Sequence, residues 1–234
     1  GGPDELRLVV ARAIERRRLI DARVGADASR EVPPLSYGDP IMQPVVSAID
    51  KVARTTASIY LIVGSWGADP NGYFSGASYV VFGAASGFAA TLELSGLDGT
   101  DGFQINGEAA LDYSGFSVAS AGDFNGDGFD DLFVGAFGAD PNGSYSGASY
   151  VVFGAAGGFA ATLELSALDG SNGFQINGEA ASDHSGRRVA SAGDFNGDGF
   201  ADLIVAAFWA DPNGVDSGAS YVVFGAASGF ALIL

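Results

Sequence analysis

Asp123-Phe-Asn-Gly-Asp-Gly-Phe-Asp-Asp131 and Asp194-Phe-Asn-Gly-Asp-Gly-Phe-Ala-Asp202 are the stretches on which the fold turns. Each places oxygen side chains at positions 1, 3, 5 and 9 of a short loop, with glycine at position 6. That spacing curls a loop around a hard cation, and calcium is the expected occupant. Asp123, Asn125, Asp127 and Asp131 offer side-chain oxygen, and Phe129 offers its carbonyl. Asp194, Asn196, Asp198, the Phe200 carbonyl and Asp202 repeat the set, so two calcium sites are expected. Tight turns are also rich in Asp, Asn and Gly. A turn alone has no use for three mutually repelling aspartates, and both copies keep all four oxygen positions while Asp130 changes to Ala201.

An EF-hand begins the same way but needs a glutamate at position 12 and flanking helices. Position 12 here is Val134 or Val205, inside the apolar runs Leu132–Phe137 and Leu203–Phe208. Val118–Gly122 and Val189–Gly193, before the loops, lack helical periodicity. The arrangement is strand, loop, strand.

Asp123 recurs as Asp194, and Tyr150 recurs as Tyr221 and, backwards, as Tyr79, a period of 71 residues. One unit reads as four strands: Ser117–Ala121, Leu132–Phe137, Ala148–Phe153 and Phe174–Asn177, with turns at Asp140–Gly143 and Leu168–Gly173. Tyr150-Val-Val-Phe153 and Leu132-Phe-Val134 are apolar at consecutive positions, which requires cover on both faces. Four-stranded units buried on both faces stack as propeller blades.

Gly115-Phe-Ser-Val-Ala-Ser-Ala-Gly-Asp123, the loop itself, Asp131-Leu-Phe-Val-Gly-Ala136 and Gly147-Ala-Ser-Tyr-Val-Val-Phe-Gly154 together resemble the FG-GAP repeat of integrin alpha-subunit β-propellers and their bacterial relatives. The resemblance runs from about Ile59 to Leu234. It implies blades of four antiparallel strands, with the metal loop joining the first two on one rim. The sequence departs from the pattern after Gly-Ala, where the usual proline is Phe137, Phe208 or Trp66.

Expected organisation is therefore a helix and Pro-rich linker over 1–44, a degenerate first blade over 45–114, a complete calcium-binding blade over 115–185 and an incomplete one over 186–234. The helix rests on Leu6, Val9, Val10, Ala13, Ile14, Ile20 and Val24 at helical spacing, with Gly25 at its end. Its readings are a capping helix or a docking helix whose basic run Arg16–Arg18 meets an acidic surface. Val45–Asp50 would open the degenerate blade, and its loop keeps only Asp50 of the metal ligands, so no calcium is expected there. The last blade lacks its outer strand, leaving Ser220–Phe224 as an open edge. Self-association, or membership of a longer propeller, is the expected consequence.

The chain of 234 residues is 47% hydrophobic, with 36 glycines, as a turn-rich all-β fold requires. Residues 55–234 carry only two basic side chains, Arg187 and Arg188, among 20 acidic ones, which disfavours nucleic acid and anionic membrane as partners. No apolar run is long enough to span a bilayer. The first residues do not resemble a signal peptide, and the missing initiator Met suggests a processed or excised chain.

No enzymatic motif is present, and His184 is the only histidine. It stands where the preceding repeat has Tyr113, which predicts an aromatic packing role rather than a general base. Glu108 and Glu179 recur with the repeat and read as turn residues, and Trp66 and Trp209 as core or rim aromatics. The expected function is a calcium-binding structural or adhesive module that contacts an extracellular protein or glycan. The alternative is a non-catalytic propeller appended to a secreted enzyme.

Overall fold

A computed structural model describes residues 60–84 and 88–227. All belong to the part of the chain that follows Thr56. The expected N-terminal helix and the first strand of the degenerate blade lie outside the described residues.

The architecture is all-β, in three sheets that follow the 71-residue period. The first holds β1 (Tyr60–Ser65), β2 (Ala77–Phe82) and β3 (Gly102–Asn106), joined antiparallel. The second holds β4 (Ser117–Gly122), β5 (Asp131–Ala136), β6 (Ala148–Val152) and β8 (Gly173–Asn177), antiparallel throughout. The third holds β9 (Ser185–Gly193), β10 (Asp202–Ala207) and β11 (Ala219–Val223), with β11 at the edge. The four strands expected of the complete unit are β4, β5, β6 and β8, with ends that differ by a residue.

One strand escaped the sequence. β7 (Thr162–Glu164), in the connection from β6 to β8, crosses to the preceding sheet and adds to β3 in parallel. The Glu164 carboxylate holds it there, accepting from Asn106 Nδ2 at 2.7 Å and Asn71 Nδ2 at 2.8 Å. A 3-10 turn, Leu165–Ala167, follows and buries Leu165.

Both faces of the middle blade are covered, as its consecutive apolar positions demand. Successive strand residues point to opposite faces. Leu132, Val134, Tyr150 and Val152 therefore enter one core with Val80, Phe103 and Ile105 of the first sheet. Phe133, Val151 and Phe153 enter another with Val189, Leu203 and Val205 of the third. β5 is buried at all six positions.

The sheets approach most closely at glycine. A Cβ on Gly64 would overlap the Gly115 carbonyl oxygen, and one on Gly135 would overlap that of Gly186. The third blade has Ala206 at this position.

Candidate metal centre

Each candidate loop leaves the first strand of its blade through a glycine at positive φ, Gly122 (67°) or Gly193 (65°), and re-enters at an aspartate that opens the next strand. The register of β4 on β5 slips between Ser120 and Gly122, a bulge that turns the chain outward. Inside the first loop the side chains fold the backbone. Asp127 N–H donates to Asn125 Oδ1 at 2.9 Å, Phe129 N–H to Asp127 Oδ1 at 2.8 Å, and Gly128 N–H to Asp123 Oδ2 at 3.2 Å. The second loop repeats this with Asp198 N–H on Asn196 Oδ1, Phe200 N–H on Asp198 Oδ1 and Gly199 N–H on Asp194 Oδ2.

The two closing aspartates do something the spacing did not reveal. Asp131 is fully buried, and its two oxygens accept from Phe124 N–H at 2.9 Å and Gly154 N–H at 2.8 Å. Asp202 does the same with Phe195 at 2.8 Å and Gly225 at 2.9 Å. Each ties its loop to the chain leaving the third strand of its own blade. Burial pushes the Asp131 carboxyl up to about 7, against the lowering effect of the Gly154 and Phe124 N–H bonds.

Does this donor set fit calcium? It is all oxygen, as a hard cation needs. Asp202 Oδ2 accepts from both Phe195 and Asn196 N–H, so the oxygen of that carboxylate with a lone pair to spare is Oδ1, which accepts only Gly225 N–H. Asp123 Oδ1 is buried without a hydrogen-bond partner, an acceptor lacking its positive partner. Both arginines of the repeat region lie at the far end of the strands, where Ser117 pairs with Gly135 and Arg188 with Ala206. Against this, among the described residues no three acidic or imidazole side chains converge as a closed cage. The donor types suit the ion, but the loops do not bring them together as a cage. Asp123, Asn125, Asp127, Asp131 and the Phe129 carbonyl would hold one calcium; Asp194, Asn196, Asp198, Asp202 and the Phe200 carbonyl would hold the other.

The two loops touch. Ala201 N–H donates to the Asp123 carbonyl at 3.2 Å, and the Phe200 ring lies where a Cβ on Gly126 would be. Phe124, in the first loop, is fully buried, whereas its counterpart Phe195 is 70% exposed.

The opposite end of the strands is aromatic. Trp66, Phe137 and Phe208 stand where the related pattern has proline, and they join a column of rings. Trp66 meets Phe74, Tyr113 and Phe116, and Phe137 stacks on Tyr113 at 5.1 Å. His184 lies between Phe137 and Tyr145, at 5.6 and 5.2 Å, with Trp209 edge-on at 4.3 Å. The packing role expected of His184 is thus the observed one. Burial, and then Arg187, lower its pKa, which favours the neutral ring. Glu108 and Glu179 are more than turn residues: they accept the hydroxyls of Tyr150 at 2.9 Å and Tyr221 at 2.8 Å, each tying one blade to the next.

Three sheets of one repeating strand order, the second and third each carrying a metal-type loop between their first two strands, have the architecture of propeller blades. The sequence model of the FG-GAP repeat matches residues 114–152 and 185–223. The chain carries two FG-GAP repeats, one in each of the second and third sheets. No curated protein matches it. Among the described residues no helix is long and apolar enough to cross a membrane.

Proposed function

We propose that this chain is a calcium-binding structural and adhesive β-propeller module, non-catalytic, whose ions stiffen the blade rim while its surface contacts an extracellular protein or glycan. The observation that carries the calcium reading is the buried, unpartnered Asp123 Oδ1 inside a loop whose other donors are all oxygen. The residues alone support calcium and a repeat; the adhesive and extracellular parts of the reading follow the FG-GAP resemblance. The second reading, a propeller carried beside a secreted enzyme domain, shares the same calcium chemistry.

Extracellular calcium modules bind with dissociation constants of about 10⁻⁴ to 10⁻³ M. Tenfold excess over such a constant stabilises the fold by roughly 1.4 kcal/mol per site. Melting in calcium and in chelator is expected to differ by several degrees, with two ions bound by calorimetry. Identical melting curves and no heat of binding would overturn the calcium assignment.

A further inference from the structure

Between residues 113 and 138 and their counterparts 184 to 209, the two repeats differ at seven positions. Four of these exchanges meet in space: Tyr113 to His184, Phe116 to Arg187, Ser117 to Arg188 and Gly138 to Trp209. The Arg187 guanidinium lies 5.1 Å from the Phe208 ring, 5.2 Å from Phe137, 5.4 Å from Phe116 and 5.9 Å from Trp209. Arg188 lies 5.4 Å from Phe116. His184 closes the base of the group against Trp209, and its Nδ1 is buried without a partner. Phe208 and Trp209 are 48% and 40% exposed.

Arg187 and Arg188 are the only cations of residues 55–234, yet neither forms an ion pair among the described residues. Cation–π contact satisfies a guanidinium face and leaves the in-plane N–H fork of Arg187 to receive a carboxylate, while Arg188 donates one Nη1–H to the Arg187 carbonyl at 3.0 Å and keeps its other donors. Four rings do not themselves require an arginine, since Phe116 fills the same position in the preceding blade. His184 holds φ at 52°, as its counterpart Tyr113 does at 54°, so the backbone follows the repeat and only the side chains beside it differ.

We propose that this patch is a binding site for an acidic sugar, a uronic acid within a carbohydrate chain. Its carboxylate would be received by Arg187 and Arg188, and the apolar face of its ring by Trp209 and Phe208. Three observations select this class. The 20 acidic side chains of residues 55–234 repel a densely charged polymer, whereas one carboxylate per sugar meets two local cations within a Debye length of about 8 Å. Exposed ring faces carry the negative end of their quadrupole outward and suit the polarised C–H face of a sugar. Peptide docking by strand addition needs free main chain. Here Arg187 N–H already donates to the His184 carbonyl and Trp209 N–H to that of Asp183, both at 3.3 Å. The site deepens the adhesive reading above, and it lies at the opposite end of the strands from the calcium loops.

Trp66 and Trp209 are the only tryptophans, so Trp66→Phe isolates Trp209 as a fluorescent reporter. In that background a trimer of galacturonic acid is expected to change Trp209 emission saturably, and its methyl ester to bind at least tenfold more weakly. Arg187→Phe and Trp209→Gly restore residues that the preceding blade carries in the same places, so both variants are expected to fold, as melting would show. Calorimetry should find at least a tenfold loss of trimer binding in each. No binding by the unaltered chain, equal binding of the ester, or full retention in Arg187→Phe would overturn the proposal. Tighter binding of a glutamate-rich peptide than of the trimer would overturn the carbohydrate in favour of a peptide. Asp127→Ala, measured alongside, separates the two readings: it is expected to lose calcium and keep the sugar.

Discussion

Gly135 and Ala206 occupy the same place in successive repeats and are not interchangeable. Gly135 faces the Gly186 carbonyl so closely that a methyl group would overlap it. Gly135→Ala is expected to destabilise the protein by about 1–3 kcal/mol, the usual cost of overpacking. Ala206→Gly should cost no more than about 1 kcal/mol, mostly from added freedom of the unfolded chain. Urea unfolding of the two variants measures this, and equal effects would show that the blades are not in register at these glycines. A second residue of this kind is Asp112. It is buried, with Ala109 N–H on Oδ2 at 3.0 Å, and burial raises its pKa from 3.8 to about 6. The folded state thus holds this proton more tightly than the unfolded state. Its contribution is fully present below about pH 4 and is lost as pH rises through 6. Asp112→Asn, which cannot ionise, should flatten the dependence of melting temperature on pH between 4 and 6. An unchanged slope would place the titration elsewhere.

At the scale of the element, the loops are the test of what sequence can show. Asp127→Ala and Asp198→Ala should each remove one bound calcium, because position 5 supplies a charged oxygen in each complete set. Asp50→Ala should remove none, since Asp50 has no companions in its own loop. Counting bound ions in the three proteins decides it, and loss of an ion on changing Asp50 would reveal a third site. The loops were legible as strand–loop–strand turns because their Asp, Asn and Gly side chains fold the backbone within nine residues; their role as calcium donors is the proposal. So were the paired strands around them, because apolar positions and turn residues repeat at a fixed period. What was not legible depends on contacts between blades. β7 is three residues with no alternation of their own, and it is a strand because β3 offers an edge and Glu164 meets Asn71 and Asn106. Asp131 read as a ligand alone; its tie to Gly154 joins residues 23 apart that only the closed blade brings together. The arginine patch was hidden for the same reason, since Arg187 meets Phe116 and Phe137 only across a blade boundary.

For the whole molecule, the unequal burial of equivalent residues is informative. Phe124 is fully buried and Phe195 is 70% exposed, and β6 is buried at every position while β11 is buried at none. Among the described residues β11 pairs only with β10, so one side of its backbone is unsatisfied by a neighbouring strand. An edge with Val222 40% exposed is a template for another strand. Closed propellers are built from about four to eight blades, and the described residues form three sheets. We therefore expect this chain, alone at micromolar concentration, to self-associate through the third blade. Light scattering after size exclusion should give a mass above that of one chain. Val222→Lys, which sets a charge on the open edge, should shift the mass toward the monomer without lowering the melting temperature by more than a few degrees. A compact, stable monomer before any substitution would show that the edge is covered from within the chain, and a variant as associated as its parent would move the contact away from β11.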